Sequence, residues 1–414
     1  VFPKDERIYT RDTFLFLVFL LFLAAIVGSV SDTSDKILNR YSPICFAYRD
    51  QTEEWKGWMQ VLFVWYHYFA AVEWYNWIRV YIACYVWMTG FGNFSFFWIK
   101  QDYSLWRFMK MFFRLNFLVI LVCATVGNEY MLYYICAMHT YWFLSVYFTM
   151  AIFPSWNAQT SMMTLKLFIY AACNYVIFDI PGVASVLFKP FWLILGLNDG
   201  HGDVMHEWVF RAGLDHWICF VGMLCAYNYP HFEQFIAYTE KQNEVRFLRI
   251  PSGNWIKAAV GGLILCVFYA WYEHILPLDK FSYNHLHPYT SFIPVMSYIY
   301  FRNVSRWLRG KYLGLFAYLG KITLETYLSQ LHIYLQSNAK NLIGYFHGYP
   351  LLNFAFATLI YIPISHCLFE ITIEVSAYLL PKDAKERSKK LIASVLVIVA
   401  STALGKTLEL ITGL

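Results

Sequence analysis

Residues 13–30 read TFLFLVFLLFLAAIVGSV, an unbroken run without a single charged side chain. As a helix, a run of this length rises about 27 Å, close to the hydrocarbon thickness of a bilayer. A water-soluble domain has no place for it, and the rest of the chain repeats the pattern. Of the 414 residues, 59% are hydrophobic, 21% aromatic and only 14% charged, and the mean hydropathy is +0.44. Soluble domains hold about 45–50% apolar and about 25% charged residues. The fold class is therefore all-α, a polytopic transmembrane helical bundle. This excludes a DNA-binding module, a secreted disulfide scaffold and a soluble hydrolase. The net charge of +5 does not by itself point to a polyanion, because in a membrane protein the placement of cations matters more than their sum. Eight of the nine cysteines lie in apolar runs and none forms a C-x-x-C pair, so they read as buried free thiols. The first residue is Val1 and not Met, and the chain is read as lacking its natural N terminus.

About twelve spans are expected, near 13–30, 56–74, 76–92, 112–127, 131–152, 163–180, 214–229, 255–276, 287–301, 312–336, 351–378 and 391–410. The stretch 182–198 is apolar but short and interrupted by Pro190, so it reads as re-entrant or interfacial. Loop charges support that choice. With 182–198 not crossing, five loops share one side and carry nineteen cations, from Lys36, Arg40 and Arg49 through Lys241, Arg246 and Arg249 to Lys382–Lys390. The opposite loops hold Lys189, Arg211, Lys280 and Lys340. By the positive-inside rule the cation-rich side is cytosolic. The sequons at Asn93 and Asn303 then lie at the cytosolic side and stay unglycosylated. No linker or repeat divides residues 1–414, which read as one transmembrane domain.

Ionisable residues at membrane depth are costly and mark candidate sites. Lys56 and His67 are eleven residues apart, about 1100° of helical rotation and about 16 Å of rise. Both therefore project from one face, the lysine at the cytosolic entry and the imidazole at depth. The pair suits an anionic cofactor that inserts a reactive tail; it equally suits a hydrogen-bonded core histidine with a snorkelling lysine. Glu325, Ser329 and His332 share a face of a later span. A carboxylate there can set an imidazole's tautomer and basicity, or the three can form an interhelical polar clamp. On the opposite side, residues 198–217 read NDGHGDVMHEWVFRAGLDHW. Glu207, Arg211 and Asp215 recur every four residues as a possible salt-bridged stripe. With His206 and Trp208 they form a candidate acceptor-binding lip, or a structural interface helix. Asp199, His201, Asp203 and His206 lack a recognised ligand spacing, so no metal is expected. HPYTSFIP at 287–294 is a further polar segment, weak alone. In the basic loops, Arg107, Lys110, Arg114, Arg302 and Arg306 are candidate phosphate partners.

Several blocks carry a family resemblance. RDQTEEWKGWMQ at 49–60 followed by YHYF, YVWMTGFGNFS at 85–95, FRLNF at 113–117, YMLYYICAMHT at 130–140, HEWVFRAGLDHW at 206–217 and KITLETYLSQLHIYLQSN at 321–338 occur in order. Together the chain resembles the membrane domain of the plant reduced-wall-acetylation proteins, shared with sialate O-acetyltransferase and the fungal capsule O-acetylation protein. The spacing from Lys56 to His67 is similar to the R/K-x10-H signature of the wider acyltransferase-three superfamily, and TYLSQLH to its late YL-x-x-x-H pattern. The resemblance implies a membrane-bound O-acetyltransferase in which His67 is catalytic, aided by Lys56, Glu325 or His332. It implies acetyl-CoA as cytosolic donor, the Golgi membrane as location, and a cell-wall or surface polysaccharide such as xylan or pectin as acceptor. The sialate and capsule relatives carry a lumenal SGNH-hydrolase-like module; this chain, like the plant members, is expected to have none. Transfer is therefore expected either directly to the glycan or through a separate lumenal O-acetyltransferase. Membrane lipid is the remaining partner and no nucleic acid is involved. The alternative is a transporter of acetyl-CoA or another acetyl donor; against it, the sequence shows no inverted repeat and only one interrupted segment.

Overall fold

The computed structural model of the chain describes residues 2–35, 37, 50–191, 204–242, 246–247, 250–336 and 340–412. Lys36, Arg40, Arg49, Asp199, His201, Asp203 and Arg249 lie outside the described residues, as does 192–198 of the interrupted segment.

The described residues form eighteen helices and three short antiparallel strand pairs. The first helices are α1 (Arg11–Ser29), α2 (Asp50–Phe69), α3 (Tyr75–Lys100), α4 (Leu105–Val126), α5 (Tyr134–Ala151), α6 (Thr160–Phe178) and α7 (Val183–Phe188). The middle of the chain holds α8 (Val204–Gly213), α9 (His216–Tyr227), α10 (Tyr229–Lys241), α11 (Ser252–His274), α12 (Lys280–Thr290) and α13 (Phe292–Asn303). The last are α14 (Arg306–Arg309), α15 (Gly314–Lys321), α16 (Thr323–Ile333), α17 (Pro350–Leu379) and α18 (Ala384–Thr412). The strand pairs join Lys4–Asp5 to Leu342–Ile343, Val30–Asp32 to Lys311–Leu313, and Arg246–Phe247 to Ile250–Pro251.

Every segment read as a span falls on a helix or on a pair of helices. Among the described residues, seven helices are long and apolar enough to cross a bilayer: α1, α3 with its preceding turn, α4, α6, α11, α17 and α18. The bent pair α8 and α9 would make an eighth span. The others differ for local reasons. Helix α2 carries Asp50, Glu53, Glu54 and Lys56 in its first two turns. The segment 287–301 is broken at Ser291, where Pro294 has no N–H to give to the carbonyl of Thr290. Helix α7 is too short to cross; the rest of the segment read as non-crossing, 192–198, lies outside the described residues.

Helix α3 lies in the centre, 61% buried over its apolar window, while α11 at 11% and α18 at 0% face outward. Backbones meet closely at the centre. A Cβ on Gly57 would stand 1.8 Å from the carbonyl oxygen of Phe316, and one on Gly320 1.9 Å from that of Glu53, so α2 and α15 touch through glycine. Gly90 and Gly222 do the same for α3 and α9. With no hydrophobic gradient between helix and lipid, such close approach is what holds membrane helices together.

The basic loops gather at one end of the bundle. Lys311 pairs with Asp32 at 2.6 Å, Arg309 with Asp35 at 2.7 Å, and Arg302 with Glu54 at 3.2 Å. The Trp106 indole donates to the carbonyl of Leu380 at 2.8 Å, and Lys382 lies 5.9 Å from the Trp106 ring. Asn93 and Asn303, the two sequon asparagines, are buried in helices α3 and α13.

Candidate active site

Two cavities open on the shared helices α2, α3 and α5. The one at the end opposite the basic loops holds His67 and has a volume of about 390 Å³. His67 sits in the last turn of α2, its Nδ1 3.2 Å from Oε1 of Gln330 on α16. The amide orientation is fixed because Gln330 Nε2 donates to the carbonyl of Tyr327 at 3.0 Å. An amide oxygen only accepts, so His67 donates from Nδ1 and keeps its lone pair on Nε2. Among the described residues Nε2 has no partner and is not a buried orphan, so it opens on the cavity. Phe63 packs edge-on against the imidazole at 4.5 Å and holds its plane. The result is an oriented imidazole whose Nε2 faces a polar cavity.

The walls of this cavity are strongly polar. Glu207, Arg211, Arg79, Lys280 and Arg7 line it beside Tyr66 and Tyr134. Arg211 donates to Glu207 at 3.1 Å and lies 4.1 Å over the Tyr134 ring. Arg79 is buried and donates to Asp215 at 2.7 Å. His287 donates to the other Asp215 oxygen at 3.3 Å and accepts from Tyr283 at 3.1 Å. Glu207 and Arg211, chosen from sequence as an acceptor lip, thus share a cavity with His67.

The second cavity, at the basic end, has a volume of about 320 Å³ and is lined by Thr52, Glu53, Lys56, Asn93, Ser95, Arg107 and, deeper, Thr89 and His139. Lys56 pairs with Glu53 at 2.6 Å, and Arg107 lies 3.9 Å over the Phe96 ring. Among the described residues the two cavities have no lining residue in common. Their closest approach along α3 is from Ile82 to Tyr85, about 4.5 Å of helix rise. Lys56 and His67 are therefore on one helix but in different cavities.

Other sequence candidates are distributed differently. The stripe on α16 splits three ways. Glu325, fully buried, is held by two hydrogen bonds from Arg114, the Nη2 to Oε2 bond at 3.0 Å. Ser329 bonds Ser365 at 2.7 Å, and His332 Nε2 meets the Tyr133 hydroxyl at 2.6 Å. It is Gln330, between them, that contacts His67. The Glu207–Arg211–Asp215 stripe is cut short, since α8 ends at Gly213 and Asp215 turns inward to full burial. Trp208 is only 4% exposed, packed against Tyr141 and Phe188, so it is no surface lip. His206 is exposed at the start of the same helix. Of the five proposed phosphate cations only Arg107 shares the cavity of Lys56. Lys110 lies over Trp106, Arg302 is held by Glu54, and Arg306 pairs with Asp35 and Glu240 beside a separate surface cavity. Among the described residues no group of three His, Cys, Asp or Glu side chains is arranged to hold a metal, and eight cysteines are free.

Three site residues escape a reading of spacing. Gln330 is uncharged. Arg79 and His139 each stand alone in an apolar run, and the partners that define them, Asp215 and Thr89, come from other helices. The available signal was the rule that an ionisable residue inside a span is a candidate by default.

Comparisons with known proteins bear on the family of the chain. Residues 1–392 match a family model described as the 10 TM acyl transferase domain found in Cas1p. Its ten spans lie between the eight that length and apolarity support and the twelve read from sequence. The chain is 31% identical over 411 residues to the N-acetylneuraminate (7)9-O-acetyltransferase of Danio rerio, covering 95% of this chain and 50% of that relative. It thus spans about half the length of the curated relative it matches. No solved structure matches. With the model extending over nearly all of its length, the chain belongs to the family of the 10 TM acyl transferase domain found in Cas1p.

Proposed function

We propose that the chain is a membrane O-acetyltransferase that draws acetyl groups from cytosolic acetyl-CoA and delivers them to glycan hydroxyls on the opposite, lumenal side. The observation that carries this reading is His67, whose Nδ1–H is fixed by Gln330 so that Nε2 faces a polar cavity. That is the arrangement a general base needs to take a proton from a sugar hydroxyl. Lys56 and Arg107 line the cavity at the basic end and bind the donor's phosphates. Glu207, Arg211 and Arg79 offer the acceptor a carboxylate and two guanidinium groups beside His67. Glu325 and Arg114 clamp α16 to α4 and so hold Gln330 in register. His332, tied to Tyr133, steadies the end of the same helix. The relative's name, an O-acetyltransferase acting on N-acetylneuraminate, supports acetyl transfer to a sugar. The Golgi membrane as site, and cell-wall polysaccharides such as xylan or pectin as acceptors, belong to the same reading through the resemblance to plant proteins, with delivery direct or through a separate lumenal transferase.

The purified chain, incubated with labelled acetyl-CoA and xylan or pectin oligosaccharides, should yield acetylated glycan and free CoA. His67→Ala should abolish glycan acetylation and sustained CoA turnover while acetyl-CoA still binds. Normal turnover in that variant would end the assignment. Two cavities at opposite ends also suit a carrier of acetyl-CoA. Vesicle uptake of intact acetyl-CoA without free CoA would favour that second reading.

A further inference from the structure

The separation of the two cavities poses a chemical problem, because His67 does not line the space that holds Lys56 and Arg107. A donor anchored there presents its thioester to a different imidazole. We propose that His139 takes the acetyl group from the thioester, so that the reaction passes through acetylated His139. This rests on reading the basic-end cavity as the acetyl-CoA site.

His139 stands at the inner end of that cavity. On α5 it is twelve residues from Ala151 at the basic end, about 18 Å of rise. On α4 the lining runs inward from Arg107 at the mouth through Met111 to Leu115, about 12 Å. Tyr134, which lines the His67 cavity, is five residues from His139, about 7.5 Å along the same helix. The imidazole therefore sits where a tail entering past Lys56 and Arg107 ends, next to the thin partition.

Its hydrogen bonding fits a nucleophile. We assign the Thr89 hydroxyl proton to the carbonyl of Tyr85 at 3.1 Å, which leaves the Thr89 oxygen, 2.8 Å away, to accept from Nδ1 of His139. The lone pair is then on Nε2. Among the described residues Nε2 makes no hydrogen bond and is not a buried orphan, so it is presented to the cavity. A histidine serving only to fill a core would have both nitrogens partnered or enclosed.

The step balances without any other reactant. Nε2 attacks the thioester carbonyl carbon; the C–N bond forms, the C–S bond breaks and its electron pair leaves with sulfur. The Nδ1 proton ends on that sulfur, so acetyl-CoA and imidazole give CoA thiol and acetylimidazole. In the second half the acceptor oxygen attacks the acetyl carbon, the C–N bond breaks, and the hydroxyl proton returns to the imidazole of His139 by way of His67.

The test uses the full chain in lipid nanodiscs with [1-¹⁴C]acetyl-CoA and no glycan. Wild type should release a fast burst of CoA thiol approaching one per chain and hold an equal amount of hydroxylamine-labile label. Mass spectrometry of the quenched wild-type protein should place the acetyl group on the peptide containing His139. His139→Gln should lose the burst while binding a non-cleavable thioether analogue of acetyl-CoA as wild type does; His67→Ala should keep the burst. Absence of a wild-type burst, an acetyl group mapped elsewhere, or a burst lost in His67→Ala but kept in His139→Gln would each overturn the proposal. Glycan acetylation without a burst would leave the proposed function standing and remove this step. A His139-dependent burst with no acetylated glycan would do the reverse.

Discussion

Gln330→Met removes the hydrogen-bond acceptor that orients His67 and nearly preserves side-chain volume. The bond it deletes is 3.2 Å long, at the far end of the N–H···O range, so its net worth is about 1 kcal/mol. That energy favours the tautomer with Nδ1 protonated; losing it costs about fivefold in the population of imidazole with Nε2 free. Rotational freedom of the ring, now restrained by Phe63 and Tyr66 alone among the neighbouring rings, adds to the loss, and kcat for glycan acetylation should fall about five- to tenfold. Gln330 does not line the donor cavity, so KM for acetyl-CoA should stay unchanged. The assay is label transfer to an oligosaccharide at varied acetyl-CoA, with thermal unfolding as a fold control. A purely structural role would lower the melting temperature and leave kcat per folded chain alone. Wild-type kcat, or a KM for acetyl-CoA that rises in step with the loss, would refute the claim that Gln330 acts by presenting His67.

Three further outcomes follow from particular contacts. Arg107→Glu should weaken acetyl-CoA binding by about tenfold or more, because it reverses a charge on the donor cavity wall. Lys110→Glu, on a side chain stacked over Trp106, should change it far less; equal effects measured by equilibrium binding would dissolve the distinction. Asp215→Ala leaves Arg79 charged, buried and uncompensated, a loss of about 3–5 kcal/mol in unfolding experiments. The double variant Arg79→Met with Asp215→Leu should recover most of that stability, and no recovery would mean Asp215 acts through His287 alone. At the basic end, burial raises the Glu240 carboxyl but the Arg309 hydrogen bond and charge outweigh it, holding it below its ordinary value. A carboxyl depressed in the folded state contributes stability above its unfolded pKa, about 4.3, and loses it as pH falls further. The melting temperature should therefore drop on acidification below about pH 4, and Arg309→Met should flatten that drop; an unchanged slope would remove Glu240 from the account.

How much of this was legible in the sequence depends on whether a feature is carried by one helix or by several. The helical membrane class and the basic end followed from local composition, since hydropathy and loop charge need no knowledge of neighbours. The Glu207–Arg211 pair was also legible, being an i, i+4 contact. Periodicity then failed where a helix stopped. It assumed one helix through Asp215, but the helix ends at Gly213 and the carboxylate swings inward to Arg79. It grouped Glu325, Ser329 and His332 on one face, and their partners Arg114, Ser365 and Tyr133 come from three other segments. It placed Lys56 and His67 on one face without showing that they line different cavities. Trp208 was placed on a candidate acceptor lip or a structural interface helix, and sequence alone could not separate the two. Its environment is set instead by Tyr141 and Phe188, distant in sequence.

The wall between the cavities makes physical sense for the proposed reaction. CoA carries its charge on phosphates, and each charge taken to the centre of a bilayer costs at least about 2.5–3.5 kcal/mol on insertion scales. An acetyl group is neutral and small. A protein that moves only the acetyl group can keep the donor's anions beside Lys56 and Arg107 at one end and the hydrated acceptor beside Glu207 and Arg211 at the other. A single open tube joining those sites would pass water to the thioester and to any acetylimidazole, and hydrolysis would waste both. Two separate cavities, each lined by one of the two imidazoles, avoid that. The arrangement has a consequence for the partition itself. Ile82 lines one cavity and Tyr85 the other, so enlarging or shrinking the side chain at Ile82 should alter the ratio of glycan acetylation to futile CoA release. Ile82→Gly should raise hydrolysis relative to transfer, measured as CoA thiol released per acetylated glycan formed. A ratio that does not move would show that the wall plays no part in guarding the intermediate.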